Sequence, residues 1–381
     1  MQRKSIQKTV MIVGLGDLGA HVLDMLSRLP SRPRIVVAGR REEWLIRRKN
    51  LANYVAMHLG VEPDLGHVVV DLDDEARTAE AISAINPDII FSAVSLQSWR
   101  VITELPKAIF DELDEAQFGP WLPMHLTPVH ALMRAVALSG VSARVVNAAF
   151  PDCVNAVLGQ VGLAPTIGIG NVANIVPALR SSVACALDQP VGRVRISLVA
   201  QHYFTHRVPR HGDAGGAPFH LTATLDGDDV TKRIDIAEVL KLLTKQLRRQ
   251  GGIAGQALTA ASAMSVLSAM LEDAGRVVHA PGPNGLPGGY PVRITARGGE
   301  PVLPAGLSLD DAIAMNEACQ RKDGIDKIDA DGTVHFTELE MAIMKRMLGY
   351  ECRSMRLEES GARARELRVK YLEFASRHIT K

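Results

Sequence analysis

The sequence contains few cysteines, and this scarcity limits what the protein can be. Only four of the 381 residues are cysteines, namely Cys153, Cys185, Cys319 and Cys352. They lie far apart in the chain and show none of the paired spacings that bind zinc or build a disulfide framework. We therefore expect reduced thiols, no bound metal and a cytoplasmic location.

The sequence also lacks an excess of charge of either sign. Lysine plus arginine number 43 and aspartate plus glutamate number 42, so no net field attracts nucleic acid or an acidic membrane. No apolar run approaches the ~20 residues that cross a bilayer, and residues 1–8 lack the apolar core of a signal peptide. The expected partner is a small molecule, with no role for nucleic acid or membrane.

What the chain does contain is apolar sequence for a large core, since 47% of its residues are hydrophobic. Up to about residue 170, short β-forming runs alternate with helical patterns, which predicts an α/β fold with a Rossmann-type doubly wound parallel sheet. After about residue 190 the strand and helix patterns separate, which predicts an α+β region. The predicted division is a dinucleotide-binding domain at 1–170 and a substrate-binding domain at 171–381.

A glycine-rich turn follows the first predicted strand at residues 10–13. Its glycines are Gly14, Gly16 and Gly19, and an amphipathic segment comes next. This strand–turn–helix order is typical of a dinucleotide phosphate site, in which the glycines allow a tight turn, close approach of the pyrophosphate and helix–strand packing. The alternative is a tight structural turn. The other predicted cofactor contacts in the turn are Leu15, Asp17 and Leu18, of which Asp17 is the least favourable beside a phosphate.

No acidic residue stands at the tip of the second predicted strand, where an acid commonly binds the ribose 2′-hydroxyl. Arg40 and Arg41 stand there instead, and guanidinium groups suit a 2′-phosphate. The pattern favours NADP(H), with NAD(H) still possible; both arginines could instead be solvated residues that open the next helix. Ala93 and Val94 end the fourth predicted strand and leave room for a ribose. Asn147 ends the fifth and is placed to reach the nicotinamide or a substrate oxygen.

Three blocks of sequence carry a family resemblance. Residues 145–152 read Val-Val-Asn-Ala-Ala-Phe-Pro-Asp, residues 168–174 read Gly-Ile-Gly-Asn-Val-Ala-Asn, and a predicted strand at 194–200 runs into Gln201 and His202. In these blocks the chain resembles the lactate/malate dehydrogenase superfamily, diffusely and as far as about residue 350. The resemblance implies that fold, with its α+β C-terminal domain, a homodimer or homotetramer assembled through residues 171–381, and His202 as the group that exchanges a proton with substrate.

The chain departs from the family on its substrate helix. Asn174 replaces the aspartate that orients and charges the histidine, and Pro177 replaces the arginine that clamps the substrate carboxylate. Asn174 could still hold one imidazole tautomer by a hydrogen bond, although it supplies no charge. Arg180 lies one helical turn further on and could replace the clamp.

Two more residues complete the candidate site. Arg100 occupies the loop after the fourth strand, where the family keeps a closing lid with an arginine, and could close on an anionic substrate. His211 lies in an Arg-His-Gly-Asp stretch in a predicted loop and competes with His202 for the acid/base role.

The sequence therefore predicts an NAD(P)-dependent oxidoreductase that moves a hydride between nicotinamide and a carbonyl/alcohol or imine/amine carbon of a small anionic metabolite. The alternative is a catalytically inactive dinucleotide-binding sensor or scaffold, motivated by Asn174 and Pro177. A stretch at 327–338 resembles a calcium-binding loop but begins with Lys327 instead of aspartate. We predict a turn, a strand and a helix-capping box there, not a calcium site.

Overall fold

The computed structural model describes residues 7–379, apart from the side chains of residues 99 and 100. Its centre is a six-stranded sheet in which every neighbouring pair is parallel. The strands are β1 (Thr9–Val13), β2 (Arg34–Gly39), β3 (Leu65–Val69), β4 (Ile89–Ser92), β5 (Arg144–Asn147) and β6 (Ile167–Gly168). Their spatial order is β3-β2-β1-β4-β5-β6. The order reverses between β1 and β4, which is where ligands bind in doubly wound sheets.

Helices cover both faces of this sheet. They are α1 (Asp17–Leu26), α2 (Glu42–His58), α3 (Glu75–Ile85), α4 (Lys107–Asp114), α5 (Leu122–Ser139) and α6 (Pro151–Gln160). Alternate residues of β1 enter different buried clusters: Met11 and Val13 pack with side chains of α3 and α5, whereas Val10 and Ile12 pack with side chains of α1. This two-sided burial is why the strands read as continuous apolar runs.

The second half combines helices with three small antiparallel sheets. Its elements are α7 (Val172–Leu187), β7 (Val194–Val199), α8 (His202–His211), β8 (His220–Leu225), β9 (Asp228–Asp229), α9 (Ile236–Lys241), α10 (Gln256–Glu272), β10 (Arg276–Pro281), β11 (Gly289–Thr295), β12 (Gly298–Pro301), α11 (Leu309–Lys322), β13 (Ile325–Ile328), β14 (Val334–Phe336), α12 (Glu338–Leu348), β15 (Ser354–Met355) and α13 (Ser360–His378). The sheets are β7-β8-β9, β10-β11-β12 and β13-β14-β15. The predicted fold class is confirmed.

Several sequence-based assignments are wrong in detail. The stretch from Arg210 to Asp213 is predicted as a loop, but Arg210 and His211 belong to helix α8, which contains Pro209. The apolar pattern at 236–249 predicts one helix, whereas α9 ends at Lys241. Helices α4 and α11 were not predicted.

The calcium-like stretch is a β-hairpin between β13 and β14. Thr337 is the N-cap residue of α12, but its side chain accepts no capping hydrogen bond from the backbone; its hydroxyl donates to the Glu340 carboxylate instead, so the predicted capping box is not formed. Within residues 7–379, no group of three or more metal-binding side chains comes together, and no helix has the length and apolarity to span a bilayer.

The end of the chain packs back onto the first half. One buried cluster joins side chains of α3 and α5 to those of β14, α12 and α13. Where the two parts meet, the backbone N–H of Gly119 donates to the carbonyl of Asp323, at 2.7 Å. A Cβ on Gly119 would lie 2.4 Å from that oxygen, so this approach requires glycine. The contact holds Asp323, just after α11, close to the carboxyl ends of the parallel strands.

Candidate active site

The glycine turn lies between β1 and α1, at the point where the strand order reverses. Gly14 has φ +93° and its N–H donates to the Ala38 carbonyl at 3.0 Å. A Cβ on Gly19 would lie 2.1 Å from the Gly14 oxygen, whereas a Cβ on Gly16 would meet nothing within 4 Å. The fold therefore requires Gly14 and Gly19, while Gly16 leaves open space before the N-terminus of α1. That space suits a pyrophosphate.

The other residues predicted in the turn shape it. Leu15 is buried, and its carbonyl accepts a hydrogen bond from the Trp44 indole at 2.9 Å. Asp17 is the exposed first residue of α1, and Leu18 is half-buried. Ala93 and Val94 pack directly against the turn, since a Cβ on Gly14 would lie 2.8 Å from the Ala93 oxygen and 3.1 Å from a Val94 methyl.

A cationic surface lies beside the turn, after β2. Arg40 and Arg41 are exposed and form no ion pair with any other described side chain. The Arg41 guanidinium carbon lies 5.6 Å from the centre of the Trp44 ring, within cation–π range. Trp44 was not predicted, and it joins the arginines to the glycine turn through its bond to Leu15.

Asn147 does not face open space, contrary to the prediction. It is fully buried; its Oδ1 accepts from the Ala149 N–H at 2.9 Å, and its Nδ2 donates to the Ala149 carbonyl and to Asn155 Oδ1. These bonds hold the turn after β5, and full burial leaves no surface of the amide for a ligand to contact. The neighbouring Ser92, at the end of β4, is buried with no hydrogen-bond partner for its hydroxyl among the described residues.

The turn after β5 has unusual backbone geometry. Phe150 adopts the left-handed region at φ +45°, directly before Pro151. Asn171, which precedes α7, also has a positive φ of +47°, and its amide bonds the Asp152 carboxylate. Such conformations are uncommon for residues other than glycine and concentrate at functional sites. They direct Phe150 and Asp152 towards the start of α8.

His202, the first residue of α8, stands at the centre of a buried polar cluster. Its Nδ1 lies 2.9 Å from Asp323 Oδ2, and that oxygen also accepts from Gln201 Nε2 at 3.0 Å. Gln201 in turn caps α8, because its Oε1 accepts from the Tyr203 N–H at 2.7 Å. Asp323 thus fixes the orientation of the imidazole, and about 12% of the His202 side chain remains exposed.

Aromatic rings surround the imidazole and exclude water from it. The ring centres of Phe118 and Phe150 lie 4.9 Å and 5.1 Å from that of His202. His206, one helical turn further along α8, stacks on His202 at 5.5 Å. His125 lies behind Phe118, with ring centres 5.0 Å apart.

Burial and charge set the protonation states in this cluster. Burial opposes the charged form of His202, but the carboxylates of Asp323 and Asp152 outweigh it, so the pKa of His202 is raised above 6.5. Burial raises the pKa of Asp152 to about 6, against the attraction of His202. Burial lowers the pKa of His125 to about 4 and holds that of His206 well below 6.5. Burial therefore disfavours protonation of His125 and His206, whereas the neighbouring carboxylates favour protonation of His202.

The structure places two other predicted residues away from His202. Asn174 donates from Nδ2 to Thr259 Oγ1 at 3.1 Å, so the prediction that it orients the histidine is wrong; Asp323 does so. The guanidinium of Arg180 donates to the carbonyls of Val191 and Val194. Since β7 extends roughly 16 Å beyond Val194 before it reaches the start of α8, Arg180 does not replace the clamp.

Two further predicted residues, His211 and Arg100, do not contribute to the described His202 cluster. His211 is the exposed last residue of α8, roughly 13 Å along the helix from His202, and lies outside the buried cluster. The side chain of Arg100 lies outside the described residues. No role was predicted for Asp323, Gln201 or His206; only the histidine-rich composition of residues 202–211 indicated that His206 lies near a site.

Comparison with known proteins identifies the fold. The chain matches no protein-family model and no curated protein in sequence. Among solved structures it is similar to malate dehydrogenase from Cryptosporidium parvum (TM-score 0.57, 16% identity, 84% of this chain and 98% of that one). It is also similar to lactate dehydrogenase from Eimeria maxima, solved with NADH and oxamate (0.56, 14%, 84% and 91%), and to malate dehydrogenase from Salinibacter ruber (0.53, 17%, 82% and 95%). The resemblance found in the sequence is confirmed at the level of the fold: this chain has the fold of the lactate and malate dehydrogenases.

Proposed function

We propose that this protein is an NAD(P)-dependent oxidoreductase that transfers a hydride between nicotinamide and a carbonyl/alcohol or imine/amine carbon of a small anionic metabolite. The observation that carries this proposal is the turn from Gly14 to Gly19. It stands where the strand order reverses, and it leaves the N-terminus of α1 open at Gly16. The solved relatives described above include a lactate dehydrogenase bound to NADH.

The residues along the sheet edge fit a dinucleotide. The pyrophosphate would lie over Gly16, with the adenosine half beside Trp44 and the arginines after β2. Arg40 and Arg41 favour NADP(H), because two free guanidinium groups match a 2′-phosphate. When bound, the nicotinamide supplies or accepts the hydride.

The protein's part in the chemistry is proton transfer at His202. In the direction of reduction, the imidazolium donates its Nε2 proton to the substrate oxygen or nitrogen as the hydride reaches the adjacent carbon. Asp323 favours the charged imidazolium and fixes its orientation. In the lactate/malate dehydrogenases an aspartate at the position of Asn174 has this function. The rings of Phe118 and Phe150 exclude water from the transfer.

A dinucleotide-binding protein without catalysis is the second candidate. Pro177 favours it, because no arginine stands at the family's clamp position on α7. The two functions predict different results when NADPH and NADH are titrated into the protein and then incubated with carbonyl and imine substrates. We expect saturable binding and oxidation of the reduced cofactor, with His202→Ala lowering turnover by about 10²–10⁴-fold and leaving cofactor affinity unchanged. Binding without turnover on any substrate would assign the scaffold function.

A further inference from the structure

A basic cleft opens beside the His202 cluster. It has a volume of about 370 Å³ and lies between α8, the segment at 248–255 and the N-terminus of α10. Three arginines line it, namely Arg210, Arg248 and Arg249. Of the described residues that line the cleft, none is acidic. The volume is within the range of small-molecule sites.

The positive charge of these arginines is only partly offset within the described part of the chain. None of the three forms an ion pair with a described carboxylate; Arg210 and Arg249 instead donate to the backbone carbonyls of His206 and Gln250. The surrounding protein removes water from part of each guanidinium and so lowers the pKa of Arg210 and of Arg249; the charge of Asp114 opposes this change at Arg210, and the charge of Arg249 adds to it. Three cations near one carboxylate leave an excess of positive charge, which favours an anion.

Backbone geometry adds to the same preference. Gly251, Gly252 and Gly255 line the cleft just before α10, and a Cβ on Gly251 or Gly252 would meet nothing within 4 Å. The backbone there is open to a ligand, and the positive end of a 17-residue helix follows it.

The cleft adjoins the proposed reaction centre. His206, which stacks on His202, lines the cleft, and so does Thr259, which holds Asn174. Arg210 lies two helical turns along α8 from His202, roughly 12 Å. An anionic group held by the arginines would therefore lie several atoms from a carbon that reacts at His202.

We propose that the arginine cleft binds a phosphate group of the substrate, so that this protein acts on phosphorylated small metabolites. This proposal rests on the proposed oxidoreductase function for the reaction itself. Three guanidinium groups with no acid among them match the charge and the oxygens of a phosphate dianion. They come from α8 and from the segment before α10, and thus stand in for the clamp that Pro177 removes from α7.

The test is calorimetric titration of the full chain with inorganic phosphate, with and without NADPH to occupy the glycine turn. Arg248→Gln combined with Arg249→Gln should weaken phosphate binding at least about tenfold, the effect of losing one charge-assisted hydrogen bond. Arg28→Gln combined with Arg34→Gln removes the same charge from exposed sites and should change nothing. The cleft variant should keep its thermal midpoint, since it relieves repulsion, which separates lost binding from lost folding.

Each outcome decides one question. Equal phosphate affinity in the cleft variant and the wild type would overturn the proposal, and so would malonate binding more tightly than phosphate, because the site would then serve carboxylates. Phosphate binding that depends on the cleft in a protein that binds neither NADPH nor NADH would remove the oxidoreductase function while supporting the phosphate site. Dinucleotide binding without phosphate binding would do the reverse.

Discussion

At the scale of single residues, the charge of His202 depends on a balance between burial and two carboxylates. Burial alone would keep the imidazole neutral, and Asp323 and Asp152 reverse that preference. The raised pKa keeps His202 protonated to higher pH than a free imidazole, and the proton is lost as the pH rises through that pKa. Reduction needs the protonated form, so its rate should fall on the alkaline side.

Replacing Asp323 with asparagine tests this balance. Asp323→Asn removes the nearest negative charge, so burial becomes dominant and the pKa of His202 falls. The alkaline limb of the pH–rate profile for reduction should then move to lower pH. Asp310→Asn, which removes an exposed charge from α11, the helix that Asp323 follows, is the matched control and should leave the profile in place. An unchanged limb in Asp323→Asn would show that Asp323 is structural only.

The buried carboxyl of Asp152 makes a prediction about stability. Its pKa rises from 3.8 to about 6 on folding, so the folded state holds a proton that the unfolded state releases between those values. This contribution is complete below pH 3.8 and is lost as the pH rises through 6. The change corresponds to roughly 3 kcal/mol.

Asp152→Asn should therefore gain stability relative to wild type between pH 4 and pH 7, by roughly 2–3 kcal/mol. Urea denaturation at the two pH values measures the difference. Asp73→Asn, at an exposed aspartate, should show no such change. Parallel pH dependence of Asp152→Asn and wild type would contradict the assignment.

These residues also show how far a sequence can locate a site. His202 was predictable because a local block, strand then Gln201-His202, carries it. Asp323 was not, because it lies 121 positions away and reaches His202 only through the packing of Gly119 against the end of α11. The Asn147 prediction failed differently: its position at the strand end was right, but its amide is used by the turn that follows.

At the scale of elements, the strand–turn–helix unit separates what folding requires from what binding requires. Gly19 is needed for packing, whereas Gly16 has an ordinary extended backbone (φ −80°, ψ −163°) and free space around it. Gly16→Val should therefore fold normally and place its side chain in the pyrophosphate path.

We expect Gly16→Val to weaken NADH and NADPH binding by about a hundredfold or more, because the valine side chain occupies the space that the pyrophosphate needs. Circular dichroism should show an unchanged fold. Gly192→Val makes the same change at an exposed glycine with equally free space and should bind normally. Normal binding by Gly16→Val would exclude the turn as the phosphate site.

The end of β2 determines which dinucleotide is preferred. Arg40→Ala combined with Arg41→Ala should weaken NADPH at least about tenfold, because the 2′-phosphate loses its charged partners, and should leave NADH nearly unchanged. Titration of both cofactors into one variant measures the ratio directly. An equal loss for NADH and NADPH would exclude a 2′-phosphate role.

Elements with strong local patterns were predictable, and those formed by tertiary packing were not. The sequence patterns predict a helix at Glu75–Ile85 and a strand at His220–Leu225, and both have these bounds in the structure; the strand predicted at 194–200 ends at Val199. The stretch from Arg210 to Asp213 is predicted as a loop because it is rich in glycine and proline, and a proline inside a helix is unfavourable. In the structure Gln201 caps helix α8, and buried Tyr203, Phe204 and Val208 anchor it.

At the scale of the whole molecule, two buried clusters contain side chains from both sides of residue 170. One joins side chains of α3 and α5 to those of α12 and α13, and another joins side chains of β1 and α1 to those of α10 and β11. Helix α13 also reaches the first half through a hydrogen bond from the Tyr371 hydroxyl to the Val101 carbonyl, at 2.8 Å. The division at residue 170 is a prediction about which part binds cofactor and which binds substrate. Because the buried clusters cross it, we expect the two parts to unfold together in one cooperative transition.

Leu367→Ala tests this cooperativity, because Leu367 on α13 is fully buried in the cluster that spans both halves. The variant should lose about 2–5 kcal/mol of unfolding free energy, and its far-UV circular dichroism and tryptophan fluorescence should still change together. Trp121 contacts the Tyr371 ring of α13, with ring centres 5.7 Å apart, so both proteins carry Trp121→Phe; Trp44, on α2, then follows the C-terminal substitution only if the halves unfold as one. Val369→Ala changes a residue of the same helix that is 54% exposed and should lose far less. A different outcome would be a fluorescence midpoint equal to that of wild type in Leu367→Ala, with part of the circular dichroism signal lost earlier in the transition. The two halves would then be separate folding units, and the packing of α13 on α5 would contribute little to the stability of the sheet.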